Sequence, residues 1–239
     1  DGSIDNSFFP FIENSLSSNN SIRAIGLQSD GKIIIGGFFA SYNGVSANRI
    51  ARLNTDGTLD TTFNIGTGAN GAIQDLKVLS NDKIVIVGDF TTFNGITKNK
   101  VAMLHSDGTL DTFFNASVSP SAETVSEQSN GKILIGGGIL TVNGQPRAKL
   151  ASLNLDGSLD TSFLYGPYLI NAGAIRDILV QPDGKIYISH DQKVIRLNSN
   201  GTLDTTFNST GGGGNGHIGI NISRQSDGKI ILVGNFKSF

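Results

Sequence analysis

Cysteine is missing from all 239 residues, which excludes disulfides and thiolate metal sites without fixing a compartment. No apolar run reaches about 18 residues, so no stretch reads as a membrane-spanning helix. Helix formers are sparse, and no long stretch keeps a 3.6-residue period. Basic stripes are absent too. The 18 Lys and Arg stand against 20 Asp and Glu, a formal net charge of −2, so nucleic acid is not an expected partner. There is no Gly-x-Ser-x-Gly elbow, phosphate loop or His-Glu-x-x-His pair. The three histidines, His105, His190 and His217, fall at unrelated positions. No secretory leader is legible, and little follows from that, because Asp1 already lies inside a repeat.

Glycine is plentiful, with 31 residues, near twice the usual share of about 7%. Many sit at recurring turns, where a positive φ suits them. The run Gln28-Ser29-Asp30-Gly31-Lys32-Ile33-Ile34-Ile35-Gly36-Gly37 returns four more times. Its lysine falls at Lys32, Lys83, Lys132, Lys185 and Lys229, at intervals of 51, 49, 53 and 44 residues. A period of about 49 residues is in the range of propellers and solenoids. A second motif, Asp56-Gly57-Thr58-Leu59-Asp60-Thr61-Thr62-Phe63, keeps the same beat at Asp107–Phe114, Asp156–Phe163 and Asn200–Phe207, and the chain opens on a fifth copy, Asp1–Phe8.

Each period holds four strand-like segments. In the first full period these are Ile22–Gln28, Lys32–Gly37, Arg49–Asn54 and Leu59–Phe63. Asp30-Gly31, Asn43-Gly44 and Asp56-Gly57 supply the turns between them. The all-β fold expected is a β-propeller of about five blades, each of four antiparallel strands, with residues 1–239 forming one propeller or part of a larger one. A parallel β-helix is the rival, but its coils need fewer residues and do not carry two Asp-Gly hairpins per turn. The apolar runs Ile33–Ile35, Ile84–Val87, Ile133–Ile135, Ile186–Ile188 and Ile230–Val233 are expected to be the most buried segments. The pairing of "LQSDGKIIIGG" with "RIARLNTDGTLDTTF" resembles the delta-60-type repeat, a β-propeller family of bacteria and phages. The resemblance covers essentially the whole chain. It implies a propeller of a secreted, surface or virion protein and brings no catalytic residue with it.

Aligned on the lysine, both ends fall within a blade. Phe239 stands level with Phe93, and Asp1 matches Asp56, which leaves 13 positions of a full repeat unfilled. A longer polypeptide is expected. Residues Ile4–Phe8 and Ile230–Val233 would flank one blade if five blades close the ring, leaving an edge open to strand addition.

In a propeller, the monotonous Asp-Gly turns share one face. The variable loops share the other, which makes it the expected recognition face. Tyr165, Tyr168 and His217 lie in those loops, beside a notch expected where only His190–Lys193 joins two strands of the fourth blade. Eight or nine positions before the lysine stand Arg23, Gln74, Asp75, Glu123, Arg176, Asp177 and Asn221, polar groups placed to ring a channel mouth. Arg23, Asp75, Glu123, Arg176, Asp177, Tyr165, Tyr168 and His217 are therefore the candidate ligand-binding residues, set against the plainer reading of a wet channel lining. The segment from Asn54 to Asp60 has a faint calcium-loop look, but an aspartate capping its own turn explains it as well. No metal or cofactor is expected. The function expected is a non-catalytic binding or adhesion module, extracellular, on a cell surface or on a virion. It would recognise a glycan or protein, with other domains of the same chain or assembly as further partners. Alternatives are a purely architectural domain and a glycan-active enzyme with Glu123 as a candidate acid.

Overall fold

The computed structural model describes residues 20–164, 166, 169, 173–190, 193–207 and 221–234. It divides into two compact units, Asp1–Thr112 and Phe113–Phe239. The first unit holds two three-stranded antiparallel sheets. One is Ser21–Leu27, Ile33–Phe38 and Ile50–Leu53, and the other is Ile73–Val78, Ile84–Gly88 and Val101–Leu104, each with its second strand central. The second unit repeats the plan with Thr124–Glu127, Ile133–Gly136 and Leu150–Leu153, then Ile175–Val180, Ile186–His190 and Lys193–Leu197. A two-stranded sheet, Asn221–Arg224 with Ile230–Val233, follows. No α-helix occurs among the described residues.

The central strands are covered on both faces, and their near-continuous β-branched runs suit that. In the first unit Ala24, Ile34 and Ile50 pack against Ile73, Leu76, Ile84 and Ile86. Gly36 permits that approach, since a Cβ there would come within 2.9 Å of Ile73 and Leu76. In the second unit Leu134 and Leu150 pack against Ile175, Ile178, Ile186 and Ile188. Four of the five apolar runs are buried as expected, with Ile33 alone only partly covered. The fifth is not, because its sides alternate. Ile230 and Leu232 pack towards Tyr187 and Ile222, whereas Ile231 is 41% and Val233 61% exposed. Among the described residues no further sheet covers that second face.

The fourth strand of each repeat is shorter than the sequence suggests. It shrinks to one bridged residue: Leu53↔Leu59, Leu104↔Leu110, Leu153↔Leu159 and Leu197↔Leu203. The aspartate that follows turns the chain away. Asp60 Oδ1 accepts the Thr62 amide at 2.9 Å and its hydroxyl at 2.6 Å, a side-chain-closed turn that competes with the ladder. Its Oδ2 takes the motif lysine. Lys32–Asp60, Lys83–Asp111, Lys132–Asp160 and Lys185–Asp204 pair at 2.9, 2.9, 2.8 and 2.9 Å, on aspartates that are all buried. In two repeats an arginine joins at 2.8 Å, Arg52 on Asp60 and Arg196 on Asp204. Each guanidinium also lies over the motif phenylalanine, 4.9 Å from the Phe63 ring and 5.0 Å from the Phe207 ring.

Asp-Gly turns close on themselves in the same way. Asp56, Asp107 and Asp156 each accept the amide and hydroxyl of the residue two ahead, which is the aspartate-capped turn. Gly157 shows why the second turn residue is glycine. Its φ is +86°, and a Cβ would come within 2.6 Å of the Asn115 backbone, which donates from its amide to Asp156 O at 2.8 Å. The equivalent links Asn64 N to Asp107 O and Leu164 N to Asn200 O tie each repeat to the next.

The Asn-Gly turn signals close two-residue hairpins: Ser41–Tyr42 with Val45–Ser46, Thr92–Phe93 with Ile96–Thr97 and Thr141–Val142 with Gln145–Pro146. Asn43, Asn94 and Asn143 have φ of 48, 47 and 50°, and each following glycine is also positive, as a type I′ turn requires. The connecting segments pair with two of these hairpins through Ala69↔Phe93 and Val118↔Val142. Part of the supposed recognition surface is thereby built into the sheets. In the fourth repeat the strands run on to a His190↔Lys193 pair. Its connection, Asp191 and Gln192, lies outside the described residues, as do Ile4–Phe8 and therefore the predicted seam.

Acid stability follows from the buried aspartates. Burial raises the Asp160 carboxyl, but hydrogen bonds from Lys132 and Ser162 outweigh it and bring the pKa from 3.8 to about 2. Asp60 and Asp204 are held lower still. These folded values lie below the unfolded one. The stabilisation is therefore complete above about pH 4 and is lost as pH falls through the folded values. Urea unfolding should give a free energy that drops steeply from about pH 4 to about pH 2, with a shallower drop for Asp160→Asn. An equally steep drop in that variant would show that Asp160 is not one of the titrating groups.

Candidate functional site

Sequence places Arg23, Gln74 and Arg176 at the start of innermost strands, and the structure gives each a specific backbone role. The ladder register skips between Ile22 and Ala24, between Ile73 and Asp75, and between Ile175 and Asp177. The skipped residue is a β-bulge, which re-aims its side chain out of the pleat. In the first unit Arg23 Nη1 donates to Gln74 Oε1 at 2.7 Å, and Gln74 Nε2 donates to Asp89 Oδ2 at 2.5 Å. Asp75 caps its own strand, accepting the Leu76 amide at 2.8 Å.

In the second unit Arg176 pairs with Glu123 Oε2, and Ser121 Oγ lies 3.3 Å from Glu123 Oε1. Asp177 accepts the Ile178 amide at 2.8 Å and the Ile222 amide of the next sheet at 2.6 Å. Burial nevertheless pushes its carboxyl above the ordinary value. The polar residues therefore divide into Arg23–Gln74–Asp89 in one unit and Glu123–Arg176 with Asp177 in the other. Tyr165, Tyr168 and His217 lie outside the described residues.

Two open clefts lie among the described residues, and only the first is lined by members of these polar groups. One, of about 620 Å³ in the first unit, is lined by Asn20, Ser21, Arg23, Phe38, Gly71, Ala72 and Asp89. Phe38 and Asp89 are both six residues after a motif lysine. Antiparallel pairing sets Phe38 opposite Ser21, beside the bulge, a juxtaposition that a scan of single repeats does not reveal. The other, of about 560 Å³ in the second unit, is lined by Phe113, Asn115, Ser117, Asn143, Asp156 and Ser158. Phe113 is 89% exposed. It occupies the position that holds Thr62, Ser162 and Thr206 in other repeats, where the hydroxyl closes the aspartate turn. That substitution was visible as Asp-Thr-Phe-Phe in place of Asp-Thr-Thr-Phe. Among the described residues no group of three or more His, Cys, Asp or Glu is placed to hold a metal ion.

Repeated antiparallel sheets, each tied to the next by its turn, are the blades of a β-propeller. The sequence matches the family described as "Domain of unknown function (DUF5122) beta-propeller" over residues 28–63, 79–114, 128–163, 181–207 and 225–239, more than half of the chain, and the chain belongs to that family. No curated protein matches the sequence. Solved structures share the fold at low identity. A gluconolactonase from Xanthomonas campestris, XC5397, aligns with a TM-score of 0.56 and 15% identity, over 88% of this chain and 68% of that one. A catalytically inactive virginiamycin B lyase from Staphylococcus aureus with quinupristin aligns at 0.53 and 17%, over 95% and 74%. An extracellular domain from B. thetaiotaomicron, BT4673, aligns at 0.53 and 14%, over 94% and 27%.

The two polar arrangements of the second unit should differ in what they contribute to stability. Arg176 and Glu123 are 42% and 24% exposed, so Glu123→Gln should change the unfolding free energy by less than about 1 kcal/mol. Asp177→Ala leaves two backbone amides without their acceptor and should cost about 1–3 kcal/mol. Urea denaturation of both variants checks this; equal losses would contradict the assignment.

Proposed function

We propose that the protein is a non-catalytic recognition module of an extracellular, cell-surface or virion protein, and that it binds a saccharide on the Phe113 cleft. The observation that carries the reading is the exposed ring itself. A repeat whose pattern asks for a turn-closing hydroxyl places a phenylalanine there instead, 89% exposed. Aromatic faces take up the apolar faces of sugar rings. Asn115, Ser117, Asn143 and Asp156 supply polar groups around the same cleft for hydroxyls. Fold likeness to an extracellular domain agrees with the location.

A purely architectural role is the second reading. It is favoured by Ile25 and Leu27, 68% and 66% exposed on the first sheet, which suit a covering domain.

Phe113→Thr separates the two readings, because it restores the residue type of the other repeats and should leave the melting temperature unchanged or higher. A glycan array probed with the native protein and this variant should show saccharide binding weakened at least about tenfold by the substitution. Glycan binding unchanged by Phe113→Thr would move the saccharide site away from this cleft, and no binding to any glycan would favour the architectural role.

A further inference from the structure

The ion pairs described above use the motif lysines, Arg52 and Arg196, and in the second unit Arg176 with Glu123. Of the other cations of the first unit, Arg23, Arg49 and Lys100 are set around one cleft. Among the described residues, Arg23, Arg49 and Lys100 make no ion pair within 4.0 Å. One of them lines the cleft of Phe38 and Asp89, and the other two contact its lining residues. Arg23 lines it directly. The Arg49 guanidinium lies 4.2 Å over the Phe38 ring and donates to Phe39 O at 3.0 Å. Lys100 Nζ donates to the Asp89 carbonyl at 3.1 Å.

Two of these placements are costly. Arg49 and Lys100 both have φ of 70°, a left-handed backbone that favours glycine or asparagine. Lys149 shares the conformation at φ 68°, so both the backbone geometry and the basic side chain recur at this position of the repeat. Arg49 Nε is also buried without a hydrogen-bond partner, and burial lowers the guanidinium pKa. Arg49 therefore adds positive charge beside the cleft without itself lining it.

The cleft is not a plain anion trap, since Asp89 is exposed within it and would repel a bare anion. Carboxylates accept hydroxyl donors, however. Gln74 already bridges Arg23 to Asp89, which holds the two charges apart as separate contact points. A ligand that satisfies both carries an acidic group and free hydroxyls on one small frame. We propose that this cleft binds a carboxylate-bearing saccharide, with Arg23 receiving the carboxylate and Asp89 accepting from ring hydroxyls. The site is separate from the Phe113 cleft and does not depend on its ligand.

Isothermal titration of the whole chain with a galacturonate trimer and with its methyl ester tests this, because the ester keeps the hydroxyls and removes the charge. The acid should bind at least about tenfold more tightly than the ester, and Arg23→Gln should abolish that preference. Asp89→Asn should weaken both ligands. An unchanged melting temperature for Arg23→Gln confirms that the exposed substitution leaves the fold intact. Equal affinity for acid and ester would overturn the carboxylate assignment. Competition by inorganic sulfate as effective as the trimer would reduce the site to a plain anion site and overturn the saccharide. No binding of either trimer would overturn the site, whatever the outcome with Phe113→Thr.

Discussion

The aspartate at the end of each repeat, Asp60, Asp111, Asp160 or Asp204, is the point on which the repeat depends. The segment that carries it meets its own sheet through a single bridged residue pair. A ladder that short cannot hold a chain end. The motif lysine supplies the missing attachment, reaching from the start of the central strand to the buried carboxylate. Where an arginine joins it, the same guanidinium covers the phenylalanine three residues on from the aspartate. Immediately beyond that phenylalanine, the backbone amide of Asn64, Asn115 or Leu164 binds the next turn. One charge pair thus fixes the end of a blade, seats its aromatic anchor and aims the connection to the following blade. A buried ion pair is a stabilising arrangement only when its remaining lone pairs are filled. Here the Ser or Thr two residues on fills Oδ1 of Asp60, Asp160 and Asp204 with both an amide and a hydroxyl.

Much of this was legible in the sequence because it is local. The lysine period, the Asp-Gly and Asn-Gly turns and the two-face burial of Ile84–Val87 or Ile133–Ile135 are properties of short windows. What was misjudged depends on side chains overriding pattern. Leu59–Phe63 was expected as a fourth strand, yet Asp60 closes a turn on Thr62 and ends the pairing after one residue. Ile230–Val233 carries the same apolar run as its counterparts, but exposure follows from which sheets lie beside it. The candidate site was half legible. Arg23 was found by its offset from the lysine. Phe38 and Asp89 were missed because their cleft forms between two neighbouring repeats. Phe113 was missed because a repeat pattern draws attention to what recurs, and the informative residue was the one that departed from it.

The two ends of the sheets also differ less than their sequences suggest. Monotonous Asp-Gly turns point to a purely structural end, yet Asp156 and Ser158 line the cleft beneath the exposed Phe113. The variable segments point to recognition, yet their Asn-Gly hairpins pair with the connecting chain, and Asn143 reaches back to donate to Gly157 O at 3.0 Å. The proposed recognition rests on individual departures: an exposed aromatic ring in one unit and cations that make no ion pair among the described residues in the other.

The most direct test of the account is a double-mutant cycle on Lys132 and Asp160, with Lys132→Met, Asp160→Asn and the combined variant unfolded in urea at neutral pH. If the pair holds the repeat together, the two substitutions should be non-additive, with a coupling energy of about 1–3 kcal/mol. Lys132→Met should also be the more damaging single change, because it leaves a buried carboxylate without its cation. Additive effects, with coupling near zero, would contradict the claim that this charge pair is what the blade depends on.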